Sequence, residues 1–100
     1  SATNNFVSIM KFLPSVRIVG DTTGGGSGMP FTSEIPCGWT VRFSACSILD
    51  ASGKETEFGV EPSEGCKVDM TDDDRARGRD TILETAFTVL TSMISEGSPV

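Results

Sequence analysis

Apolar residues at Phe6, Ile9, Met10 and Leu13 recur at the three-and-four spacing of a single helix face, with Ala2 one turn earlier on the same side. This pattern predicts a helix at the start of the chain that stops at Pro14, whose ring and missing N–H do not continue a helix. Val16 to Val19 is a short β-branched run closed by Gly20, and it predicts a strand. The segment GDTTGGGSGMP that follows reads as a loop. In FTSEIPCGWTVRFSACSILD the period changes. Trp39, Val41, Phe43 and Ala45 alternate with Thr40, Arg42, Ser44 and Cys46, which predicts the second arm of a hairpin with one buried face. Pro36, Cys37 and Gly38 form the turn between its arms. DASGKE reads as a second turn and TEFGV as a candidate short strand.

The segment EPSEGCKVDMTDDD is polar and irregular. Thr71 is a suitable N-cap for a last helix, and Asp72, Asp73 and Asp74 in its first turn complement the helix dipole. These acids lack the spacing of a calcium loop and read as helix-start residues. Ile82, Leu83, Ala86, Phe87, Leu90, Met93 and Ile94 mark one long apolar stripe. Gly78 either weakens the start of this helix or marks its true beginning. SEGSPV reads as a frayed end. The order is α, β, loop, β, β, a candidate β, then α. That is an α+β chain of 100 residues with no repeat and no interdomain linker, hence one domain at most.

Charge and composition narrow the function. Fourteen acidic residues against eight basic give a net charge of −6, which argues against a nucleic-acid partner. No apolar run approaches the roughly 20 residues of a membrane-spanning helix. The chain has no His, so a Ser-His-Asp triad cannot be assembled from its own residues. Cys37, Cys46 and Cys66 are odd in number and show no CxxC spacing. They read as small thiols, with one bridge among them left open. No metal or other cofactor is implied. Gly24, Gly25, Gly26 and Gly28 lack the following Lys-Ser/Thr of a phosphate loop, and read as a flexible loop.

Taken in order, "SAT", the helix to Leu13, "VRIVG", "DTTGGG", "EFGVEPS" and "GRDTILETAF" resemble the C-terminal processing (tail-specific) serine peptidases over nearly the whole chain. The resemblance implies a crotonase/ClpP-like α+β fold. Residues 1–100 would then be the C-terminal part of its catalytic domain, partnered by an N-terminal part of the same domain and by a peptide or protein substrate. It implies Ser1 as nucleophile, the Ala2 amide as an oxyanion donor, and Gly24, Gly25 and Gly26 as the substrate-cleft loop. It also points to the cell envelope or periplasm. The match departs from the family pattern at two places. Ser63 replaces the usual acid, and Gly26 stands where a Ser-Lys dyad would have its lysine. A serine without a base is a poor nucleophile. The chain therefore resembles the lysine-lacking branches. One is tricorn-like and takes a histidine from outside this segment, supported by a second serine and a glutamate. The other includes the interphotoreceptor retinoid-binding protein and binds ligands. Glu57, two residues before Gly59, corresponds to the supporting glutamate, with Glu55 as the second candidate.

The residues also have plainer readings. Ser1 suits the N-cap of the first helix, and Glu57 suits an exposed carboxylate beside Lys54. Three functions follow: a serine peptidase whose base lies outside the chain, a non-catalytic peptide- or small-ligand-binding module on the same fold, and an N-terminal-nucleophile hydrolase whose own α-amine is the base. The third ranks last, because such nucleophiles normally begin a strand and a helix follows Ser1 at once.

Overall fold

A computed structural model describes residues 1–97; Ser98, Pro99 and Val100, the end of the predicted frayed segment, lie outside the described residues. The chain divides into two compact units, one formed by Ser1–Ile9 with Thr23–Val60, the other by Met10–Thr22 with the chain from Glu61 onward. The elements are helix α1 (Ala2–Met10), strands β1 (Met29–Ile35) and β2 (Trp39–Cys46), and helices α2 (Asp72–Ala76) and α3 (Thr81–Ser95). This is the expected α+β class, with fewer strands than the pattern predicted.

In the first unit, α1 begins directly after Ser1 and ends four residues short of Pro14. Its buried residues are Asn4 and Ser8, not the apolar stripe; Phe6 and Ile9 are each 62% exposed. Asn4 faces inward because the polar segments around Thr23 and Thr56 supply its amide with hydrogen-bond partners, as described below. The hairpin forms as predicted, with Phe31 opposite Phe43, Ser33 opposite Val41 and Ile35 opposite Trp39. Its turn is Pro36–Gly38, where Cys37 takes φ 75°, a left-handed conformation that costs a non-glycine residue about 1–2 kcal/mol. The expected buried face is a correction. Every residue of β2 is exposed, Trp39 at 71%, although one face of the hairpin is apolar and its Phe31 and Phe43 rings meet at 5.7 Å.

After β2, the Asp50–Lys54 turn closes as expected. The Asp50 carboxylate accepts from the Ser52 hydroxyl at 2.6 Å and from the Ser52 and Lys54 amides at 2.9 Å. The Ser52 hydroxyl, then the Lys54 amide, hold this carboxyl below its usual range. TEFGV is not a strand; a single antiparallel bridge joins Leu49 to Glu55, and the chain then turns.

In the second unit, Val16–Val19 is extended but is not a ladder strand, a second correction. It lies along the 63–68 segment. The Ile18 amide donates to Ser63 Oγ at 2.7 Å, the Ser63 amide to the Ile18 carbonyl at 2.9 Å, and Gly20 forms a parallel bridge with Lys67. Ser63 closes this contact with its hydroxyl as well as its backbone. The last helical region is two helices. Thr71 caps the short α2 through the Asp74 amide at 3.1 Å, and Gly78, at φ 70°, turns the chain out of it. Asp80 then caps α3 by accepting from the Leu83 amide at 3.0 Å. Gly78 thus separates two helices, and the true start of the long one is Thr81. Met93 is buried, and Ala86, Val89 and Leu90 border a depression shared with Val16 and Val19. Leu83, Phe87 and Ile94, each more than half exposed, point away.

Candidate functional site

Ser1 is exposed, and its carbonyl accepts from the Asn5 amide at 3.0 Å. That backbone bond places Ser1 at the N-cap position of α1. The amides of the first helical turn, beginning with Ala2, have no carbonyl one turn earlier to donate to, and they carry the positive end of the helix dipole. A hydroxyl at the N-cap therefore sits where negative charge is stabilised.

One turn on, Asn4 is 2% exposed. Its Nδ2 donates to the Thr56 carbonyl at 2.9 Å, and its Oδ1 accepts from the Thr23 hydroxyl. Thr23 Oγ1 in turn accepts from the Val60 amide at 2.8 Å, and the Thr23 amide donates to the Val60 carbonyl at 3.1 Å. Thr56, also 2% exposed, donates its hydroxyl to the Ile48 carbonyl at 2.9 Å and shares a bond of 2.7 Å with Ser27 Oγ. Among the described residues no buried side-chain nitrogen or oxygen lacks a partner. Fully satisfied polar networks of this kind hold their members rigidly.

The glycine loop is pinned to the same segment. Gly25 is buried at φ 81°, and a Cβ there would lie 2.2 Å from the Glu57 carbonyl oxygen. Only glycine allows that approach. The Gly26 amide donates to the same carbonyl at 2.8 Å. Gly24 and Gly26 face open space. The loop is thus fixed at Gly25 and open on either side, rather than flexible throughout.

Glu57 is half-buried. Its Oε2 accepts from the Gly28 amide at 3.0 Å, and it borders a polar depression with Ser44, Ala45, Cys46, Ser47 and Glu55. Glu55 is exposed and accepts from Ser47 Oγ at 3.2 Å. The two candidates therefore separate: Glu57 is held by the glycine loop, whereas Glu55 is a surface carboxylate. The structure brings Gly25, Gly26 and Glu57 into direct contact. Helix α1, which begins after Ser1, is tied to the residues flanking that group through Asn4, which sequence reading missed. Its signal was faint, an amide-bearing side chain three residues after Ser1 and so on the same helix face.

The three thiols are free. Among the described residues there is no group of acidic, Cys and His side chains that could hold a metal ion, and no helix is long and apolar enough to cross a membrane.

No protein-family profile matches the chain, and no curated protein matches it. Among solved structures it is similar to a crystal structure described as "a putative peptidase" from Parabacteroides merdae ATCC 43184, at 54% identity and a TM-score of 0.83. The match covers 90% of this chain and 28% of that one.

Proposed function

From that likeness we propose that the chain is part of a serine-type peptidase, in which Ser1 attacks the scissile carbonyl. The carrying observation is the 54% identity over 90% of the chain to a structure described as "a putative peptidase". The Ala2 amide donates to the oxyanion that forms, at the positive end of α1. The general base is a histidine outside these residues, because the chain has no His and has Gly26 where a dyad lysine would stand. Glu57 supports that base through a second hydroxyl. Its half-buried carboxylate, held through Oε2 by the Gly28 amide, supports this choice over Glu55. Gly24, Gly25 and Gly26 form one wall of the peptide cleft on a crotonase/ClpP-like framework.

The apolar face of the hairpin, with Trp39 71% exposed, and the exposed Phe6 and Ile9 support a further expectation. Faces of this kind pack against more protein, and further polypeptide of the same domain covers them. Gly26 in place of lysine favours one second reading, a binding module on the same fold that holds peptides without cleaving them.

The test uses the longest natural polypeptide that carries this sequence, incubated with unstructured peptides and followed by mass spectrometry of new termini. Ser1→Ala should abolish hydrolysis while the protein still folds, since loss of an N-cap costs only about 0.5–2 kcal/mol. Undiminished cleavage by that variant removes the nucleophile assignment. Peptide binding without cleavage by the unsubstituted protein supports the binding module.

A further inference from the structure

Asn4 is a buried polar side chain to which none of the proposed catalytic roles falls, and its environment is unusually specific. It lies one turn after Ser1 on α1 and is 2% exposed. Each end of its amide is used. Nδ2 donates to the Thr56 carbonyl at 2.9 Å, directly before Glu57, and Oδ1 accepts from the Thr23 hydroxyl, directly before the glycine loop. Leaving one of these buried groups unpaired costs more than the bond itself contributes, so the network resists partial disassembly.

We propose that Asn4 and Thr23 are positioning residues, which lock the first turn of α1 to the Thr56–Glu57 backbone and to the start of the glycine loop. This rests on the reading of Ser1 as nucleophile. Helix ends fray, so a nucleophile at a helix start needs an anchor. The geometry supplies it one turn away, so that Asn4 need not touch substrate. Thr23 is the hinge of the arrangement, because its hydroxyl donates to Asn4 while accepting from the Val60 amide at 2.8 Å. A valine of the same shape breaks both bonds, whereas a serine keeps both.

The experiment compares Thr23→Val, Thr23→Ser, Asn4→Asp and Met93→Ala in the longest natural polypeptide. Met93 is buried and belongs to the other unit, so its alanine variant reports general destabilisation. Three quantities are read at a temperature where each variant is folded: kcat, KM, and hydrogen exchange at the Asn5 amide, which bonds to the Ser1 carbonyl. Thr23→Val and Asn4→Asp should lower kcat by about 10²-fold, the scale of a small misplacement of reacting groups. KM should change less than about twofold, and Asn5 exchange should speed up. Thr23→Ser should restore kcat. Met93→Ala should keep kcat and Asn5 protection despite a lower Tm. If Asn4→Asp fails to fold, the Thr23 pair decides.

Wild-type kcat and unchanged Asn5 exchange in Thr23→Val would overturn the proposal. So would equal losses in Met93→Ala. Full activity in Ser1→Ala overturns the nucleophile reading, and with it the catalytic consequence of the anchor. An essential Ser1 combined with a silent Thr23→Val overturns the anchor alone.

Discussion

Glu57 and Glu55 show how little separates two carboxylates in sequence and how much the fold separates them. Two residues apart, they lie in one polar depression, yet Glu57 is clamped by the Gly28 amide at 3.0 Å and Glu55 meets only a surface serine. A group that orients a base acts in the transition state, so its loss lowers kcat with little change in KM. Glu57→Gln should therefore lose about tenfold or more in kcat, a part of the 10²–10⁴-fold that positioned acid–base chemistry typically contributes. Glu55→Gln should be near neutral. Steady-state kinetics of both variants, with Tm measured alongside, checks this. Equal, small effects would make both glutamates solvated surface charges and strengthen the binding-module reading.

At the scale of elements, the turns were the most legible part of the sequence. Pro36–Gly38 and Asp50–Lys54 stand where turn-forming residues put them, because those conformations are dictated locally. The strand pattern was only half legible. Alternation located β2 but not what covers it, since burial depends on a partner surface that local sequence does not encode. Helix α1 inverts the expectation more sharply. Phe6 and Ile9 of its apolar stripe are exposed, and its buried residues are Asn4 and Ser8, with Asn4 bonded to the Thr56 carbonyl far along the chain. The split of the last helical region turns on Gly78, which sequence flagged without deciding its role.

The glycine loop gives a further test at this scale. Gly25 alone of its three central glycines meets a close neighbour, with its missing Cβ 2.2 Å from the Glu57 carbonyl oxygen at φ 81°. Gly25→Ala should lose roughly 1–2 kcal/mol to the left-handed backbone and roughly 1–3 kcal/mol to overpacking. Gly24→Ala, whose Cβ meets nothing within 4 Å, should stay within about 0.5 kcal/mol of the unsubstituted protein. Denaturant melts of the two variants measure the difference, and equal stabilities would show that the loop is not pinned at Gly25.

At the scale of the whole molecule, the chain spans 28% of the length of the structure described as "a putative peptidase" to which it is similar. The order of the candidate segments, from Ser1 through the glycine loop to Glu57, is legible in the sequence, but the buried network between them is not. That network joins residues 52 positions apart in the chain, a distance over which no periodicity speaks. The central claim is that Ser1 is the nucleophile, and covalent trapping tests it most directly. A fluorophosphonate probe, which reacts only with an activated serine, is added to the longest natural polypeptide, and the adduct is mapped by peptide mass spectrometry. One adduct is expected, on Ser1, and lost in Ser1→Ala. An adduct on another serine, or none on an enzyme that cleaves peptides, would contradict it.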